Sequence, residues 1–256
     1  MTRLMRIVVT GTDTDVGKTV FAAGLVVSLG ARYWKPIQAG LSGETDSDVV
    51  RRIAGLERQD RQKAHRLLDG REGGDSREHR GRRELRDRRE DQARGEEHDE
   101  ADRVVPEVYR LRMPASPHIA ARHEGLTLDF ERIENALPEE TNQPLIIEGA
   151  GGLMVPIDDR HSMIDLFDRW KLPVVLCART SLGTINHTLL SLEALERRGI
   201  PVVGVAFGGQ REDEVETTIV TRSRVRHLGR LPRLEMLDQP SVARAFAEHI
   251  RLEAFR

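Results

Sequence analysis

The residues best suited to chemistry are the nine of one loop, Gly11-Thr12-Asp13-Thr14-Asp15-Val16-Gly17-Lys18-Thr19. The β-branched run MRIVVT at 5–10 precedes them and KTVFAAGLVVSLG at 18–30 follows, so a buried strand enters a loop that opens a helix. In that setting amides at the helix N-terminus point at phosphate oxygens. Lys18 neutralises the terminal phosphates, and the Thr19 hydroxyl is placed to ligate Mg²⁺. The loop reads as a P-loop binding Mg-ATP over residues 11 to 20, with Asp15, Val16, Gly17, Lys18, Thr19 and Val20 at the nucleotide. The strict pattern has glycine where this chain has Thr12, so Gly11 leads a longer loop; the competing reading is an ordinary glycine-containing turn.

Two further stretches belong to the same chemistry. In Ile147-Glu148-Gly149-Ala150-Gly151-Gly152 a carboxylate ends an apolar strand and glycines follow, which would let the backbone approach a phosphate. Alone, such a glutamate is a solvated strand end; beside a P-loop it reads as a metal-side acid. In Tyr33-Trp34-Lys35-Pro36-Ile37-Gln38-Ala39-Gly40 a lysine closes a short second strand. Elsewhere it would be a surface lysine. On the P-loop edge a second ammonium can hold a transferring phosphoryl group and an anionic acceptor together. Asp46 or Asp48, in Thr45-Asp46-Ser47-Asp48, would supply Mg²⁺ with its other carboxylate.

The elements needed to position these groups are legible. Continuous apolar runs at 144–148, 173–179 and 201–207 read as strands covered on both faces, and 184–198 between the last two reads as a helix stopped by Gly199. Short strand–helix–strand connections imply a parallel sheet, and a terminal helix is expected over 240–255. The fold class is α/β: a P-loop NTPase-like three-layer domain with a mainly parallel central sheet flanked by helices. A single domain over 1–256 is expected, interrupted at about 57–103 by a charged, mobile insertion. From Glu57 to Arg103 the large apolar residues are Leu67, Leu68 and Leu85 alone, too few for a core.

Composition narrows the partners. With 40 basic and 42 acidic residues and a net charge of -2, neither nucleic acid nor an anionic membrane is favoured. The one cysteine, Cys177, lies in an apolar run and suits a reducing cytoplasm. The N-terminal apolar run from Ile7 to Val9 is too short for a signal peptide core or a membrane span.

Taken in order, GTDTDVGKT, YWKPIQAG, TDSD, PASPH, IIEGAGG and LGTINH make the chain closely resemble the dethiobiotin synthetases of biotin biosynthesis. The match spans about residues 5 to 56 and 104 to 234 and leaves Glu57 to Arg103 without a counterpart. The resemblance implies that 7,8-diaminononanoate takes up CO₂ as a carbamate, ATP phosphorylates it, and the second amine closes the cyclic urea. It assigns Lys35 and Lys18 to catalysis and Thr19, Asp46 and Glu148 to Mg²⁺, with Gly149, Ala150 and Gly151 beside the nucleotide. Asp46 is preferred to Asp48 because it keeps the family's spacing to Arg52. Ala39 stands where the family has a substrate-binding serine or threonine. Gly183, Thr184 and Asn186 form the turn that holds the substrate carboxylate across a homodimer interface; Asn186 also reads as a helix cap. The family's adenine-binding asparagine is replaced by Gly208-Gly209, leaving base recognition to Gly208 and the backbone near Pro232, Arg233 and Leu234. A related glutamine-hydrolysing amidoligase would need a reactive cysteine, and a ParA-like switch ATPase an extra lysine early in the loop; residues 12 to 16 contain none.

Overall fold

A computed structural model describes residues 5–56 and 103–255. The expected insertion therefore lies outside the described residues, apart from Arg103. That residue is built into the domain: its carbonyl accepts from the Tyr33 amide at 2.7 Å and its guanidinium donates to the carbonyls of Val26 and Ala31.

The chain runs β1 (Arg6–Gly11), α1 (Lys18–Leu29), β2 (Arg32–Trp34), β3 (Ile37–Ala39), α2 (Asp46–Ala54), β4 (Val104–Val105), β5 (Tyr109–Leu111), α3 (Pro117–His123) and α4 (Phe130–Asn135). It continues through β6 (Leu145–Gly152), α5 (Met163–Trp170), β7 (Val174–Arg179), α6 (Thr184–Arg197), β8 (Val202–Gly208), α7 (Asp213–Ser223), β9 (His227–Leu231) and α8 (Gln239–His249), ending in a 3₁₀ turn at Leu252–Phe255. Seven strands form one sheet in the order β4-β2-β6-β1-β7-β8-β9, every pairing parallel. The expected three-layer α/β fold is what forms.

Burial on both faces explains the unbroken apolar runs. Along β1, Ile7 and Val9 pack under α1, α2 and α8, whereas Val8 faces the opposite layer with Ile164 and Phe167 of α5. Helix α1 is drawn close to α8 because Gly24 has no side chain: a Cβ there would stand 1.9 Å from the Phe246 ring. Its C-cap is Gly30 at φ 62, a left-handed conformation that glycine adopts without steric cost.

Two local expectations are corrected and one strand is added. Strand β6 does not stop at Glu148 but continues to Gly152, because the glycines let it lie against the phosphate loop; a Cβ at Gly152 would come within 3.3 Å of the Gly11 carbonyl. The stretch after Lys35 makes its own short strand, β3, paired parallel with β5 in a separate two-stranded sheet. The terminal helix ends at His249, since Ile250 turns extended (φ -114, ψ 135) and bridges antiparallel to Gly229.

Candidate active site

Strands β1, β2, β6, β7, β8 and β9 point their carboxyl ends toward one edge of the parallel sheet, where such folds bind ligands. From β1 the loop passes through Asp15 at φ 55 and Gly17 at φ 88 before α1 begins. Gly17 serves as a backbone N-cap with no side-chain bond, so the first amides of α1 stay available to an anion. Lys18 is buried and donates to the Asp13 carbonyl at 2.8 Å, its Nζ folded back over the loop. Burial pulls its pKa below the ordinary lysine value, and the neighbouring Lys35 charge adds to that shift.

A cavity of about 480 Å³ opens beside the loop, lined in part by Asp15, Val16, Gly17, Val20, Gly208, Pro232, Arg233 and Leu234. It brings four of the expected loop residues and the four expected base-side residues around one space, while Lys18 and Thr19 do not line it. Sequence reasoning missed Arg179, whose guanidinium also lines the cavity and meets the Asp13 carboxylate at 2.8 Å and the Thr14 carbonyl at 3.1 Å. Cys177 reaches the cavity wall from inside β7 but stays buried, and burial pushes its thiol up to about 12. A neutral thiol in that position is no nucleophile, as expected for a structural cysteine.

The second cluster is ionic. The Lys35 ammonium lies 2.6 Å from Asp46 and 3.2 Å from Glu148 Oε1, with Lys35 and Glu148 both buried. Burial works to lower the Lys35 pKa, but the two carboxylates outweigh it and hold the group above the ordinary lysine value. Desolvation likewise works against the Asp46 carboxylate, and Lys35 with Thr19 keeps it below the usual aspartate range. The Thr19 hydroxyl meets both acids, Asp46 Oδ1 at 2.7 Å and Glu148 Oε1 at 2.9 Å. One hydroxyl between two carboxylates converges three hard oxygen donors. Among the described residues no group of three or more His, Cys, Asp or Glu could hold a metal. Mg²⁺ needs no such group, because it is commonly held by one or two carboxylates together with substrate phosphates and water. Thr19, Asp46 and Glu148 fit that ion by donor type and number.

The alternative acid is otherwise engaged. Asp48 caps α2, accepting from the Thr45 amide at 3.1 Å and its hydroxyl at 2.6 Å, and it pairs with Arg51. Arg52, whose spacing suggested Asp46, meets Glu44 at 2.7 Å and the Leu237 carbonyl. A further contact escaped sequence reasoning: the buried Tyr33 hydroxyl donates to Glu148 Oε2 at 2.8 Å. Burial and the Glu148 charge raise that phenol well above its ordinary pKa, so it remains a donor.

The remaining expected residues occupy separate positions. Ala39 ends β3, while Gly149, Ala150 and Gly151 continue β6 beyond Glu148. Gly183, at φ 93, begins α6 after β7. The Thr184 hydroxyl donates to the Arg179 carbonyl at 2.7 Å, tying that turn to the strand carrying Cys177. Asn186 lies inside α6 rather than at its cap; Gly183 takes the cap position and no side chain bonds there, which corrects the capping reading.

Comparison with known proteins identifies the relatives of this chain. Residues 5–68 and 80–241 match the family model described as AAA domain, which corrects the expectation that Glu57 to Arg103 has no counterpart: the matched stretches take in 57–68 and 80–103 and leave 69–79 between them. The chain is 47% identical over 243 residues to the ATP-dependent dethiobiotin synthetase BioD of Bradyrhizobium diazoefficiens, covering 95% of this chain and 94% of that one. It is 44% identical over 251 residues to the enzyme of the same name from Agrobacterium fabrum, covering 98% and 97%. A solved structure of the cell division ATPase MinD of Pyrococcus furiosus is similar at a TM-score of 0.47 and 12% identity, covering 95% of this chain and 97% of that one. With both sequence relatives matched almost end to end, the chain belongs to the family of ATP-dependent dethiobiotin synthetases.

Proposed function

We propose that Lys18, Lys35, Thr19, Asp46 and Glu148 carry the family's reaction in this chain: the ATP-dependent closure of 7,8-diaminononanoate and CO₂ to dethiobiotin. The reading rests on two buried ammonium groups and two carboxylates gathered at the edge where the phosphate loop lies. One amine of the diamine attacks CO₂ and loses a proton, giving a carbamate. A carbamate oxygen then attacks the γ-phosphorus of ATP, and ADP departs. The second amine attacks the carbonyl of the resulting carbamic–phosphoric anhydride, the C–O bond to phosphate breaks, a proton is lost, and the urea ring closes.

The carbamate and its phosphorylated form are both anions held beside a polyphosphate, so positive charge has to be built in beforehand. Lys18 neutralises the terminal phosphates from within the loop. Lys35, kept protonated by Asp46 and Glu148, holds the carbamate against the phosphorus and balances the charge that develops there. Mg²⁺, held by Thr19, Asp46 and Glu148, screens the phosphate charge when bound. Backbone amides of the loop and of the turn at Gly183 orient the triphosphate and the substrate carboxylate respectively.

The 480 Å³ cavity, lined in part by Gly208, Pro232, Arg233 and Leu234, would receive the base. A homodimer is the working assembly. Supporting this, Leu182 is fully exposed just before α6 and Leu190 is 57% exposed on it, apolar surface that a second copy would cover. Among the described residues no helix is long and apolar enough to cross a membrane. The cytoplasm, with its ATP and reducing conditions, is the compartment that suits a lone reduced cysteine.

The test is direct. Purified protein given diaminononanoate, ¹³C-bicarbonate and Mg-ATP should place the label in the urea carbon of dethiobiotin, with ADP and phosphate formed in equal amounts. Hydrolysis of ATP at the same rate without the diamine, and no labelled product, would contradict the reading.

A further inference from the structure

Glu148 offers two oxygens, and they are used differently. Oε1 faces the Thr19 hydroxyl at 2.9 Å and the Lys35 ammonium at 3.2 Å. Oε2 turns away from them and takes the Tyr33 hydroxyl at 2.8 Å. A carboxylate rotates about the bond to its carbon unless a partner fixes it, and at 1% exposure Glu148 has little water to do so.

The tyrosine is itself immobilised. Strand β2 pairs parallel with β6, placing Tyr33 opposite Ile146, two residues before Glu148 and therefore on the same face of that strand. Both Tyr33 and Ile146 are fully buried in the layer beneath α1, the helix that carries Thr19. The ring is thus clamped between strand and helix with its hydroxyl aimed at a single acceptor.

We infer that Tyr33 is a positioning residue for the metal site: by holding Glu148 Oε2, it fixes Oε1 toward Thr19 and so sets affinity for the divalent cation. The inference rests on Glu148 being a metal ligand, as argued above. Partners that orient a metal ligand typically change metal affinity about ten- to hundredfold when removed. If the hydroxyl were only a core tyrosine satisfying its own polarity, its loss would change stability and leave metal affinity alone.

Tyr33→Phe keeps the ring and deletes the donor. In the full chain, Mn²⁺ titration by electron paramagnetic resonance with ADP present should show binding weakened about ten- to hundredfold. The Mg²⁺ concentration giving half-maximal turnover should rise similarly, with kcat recovering toward the parent value at saturating Mg²⁺. Tyr109→Phe, which removes the chain's other phenol from its contact with the Asp129 amide, should leave Mn²⁺ affinity unchanged.

Glu148→Gln separates the levels. Loss of Mn²⁺ binding in Glu148→Gln with parental binding in Tyr33→Phe overturns the role of Tyr33 alone, whereas parental binding in Glu148→Gln overturns the metal reading beneath it. Should Tyr33→Phe not fold, 3-fluorotyrosine incorporated into the Tyr109→Phe protein labels Tyr33 alone. Its ¹⁹F resonance should move on adding Mg-ADP but not ADP; a resonance indifferent to Mg²⁺ overturns the inference.

Discussion

Lys35 occupies a position where burial works to lower its pKa, and Asp46 and Glu148, flanking it at 2.6 and 3.2 Å, outweigh that and favour the charged form. The same two acids turn toward Thr19, so under the proposed function one cluster serves both the ammonium and a divalent cation. Asp46 and Asp48 give the sharpest contrast at this scale. Asp46→Asn should raise the Mg²⁺ requirement of turnover at least tenfold. Asp48→Asn should leave that requirement unchanged and lower unfolding stability by about 1 kcal/mol, the usual worth of a helix cap, measured by denaturant titration. Spacing made Lys18, Thr19 and Glu148 legible, because strand, loop and helix constrain their positions closely. The choice between the two aspartates stayed open on residue type alone; the Thr45 capping bonds that engage Asp48 favour Asp46. Tyr33 and Arg179 were not legible, since their partners lie 115 and 166 residues away and no local pattern announces them.

Helices and strands carry these groups only as rigidly as they pack. Helix α1 rests on α8 at Gly24, and Gly24→Ala drives a methyl into the Phe246 ring. The expected cost is about 1–3 kcal/mol of stability, with weaker ATP binding as α1 shifts, checked by thermal unfolding and nucleotide titration. Helix α5 supplies a pH-dependent element. Partial burial works to raise the Asp165 pKa, but the Ser162 amide and Arg198 hold it below the ordinary value of 3.8. Its folded pKa is thus the lower one, so its stabilisation is complete above the unfolded value and fades as pH falls through the folded one. Asp165→Asn should accordingly lower the unfolding midpoint at neutral pH and converge with the parent as pH falls below 3.8 through the lower folded value. Main strands and helices were readable because their apolar runs are continuous where both sheet faces are covered. The short strands β3, β4 and β5, of two or three residues each, were not readable, because their pairing is fixed by distant partners rather than by local pattern.

At the scale of the whole molecule, both ends of the undescribed stretch are tied to the domain. Leu56 donates to the Arg51 carbonyl at 2.8 Å, and the Arg103 carbonyl accepts from Tyr33 at 2.7 Å. Replacing residues 69–79, which fall between the two stretches matched by the family model, by a flexible glycine–serine linker should leave dethiobiotin formation within a factor of about two of the parent; loss of activity in a folded deletion protein would give the segment a working part. The central claim is that Lys35 gathers the carbamate and the transferring phosphoryl group at one sheet edge. The most direct test is the rate of dethiobiotin formation by Lys35→Gln at saturating Mg-ATP, alongside its affinity for ADP. A fall of about a hundredfold or more in that rate, with ADP still bound within a few-fold of parent affinity, is the predicted result; a rate equal to the parent's would contradict the account.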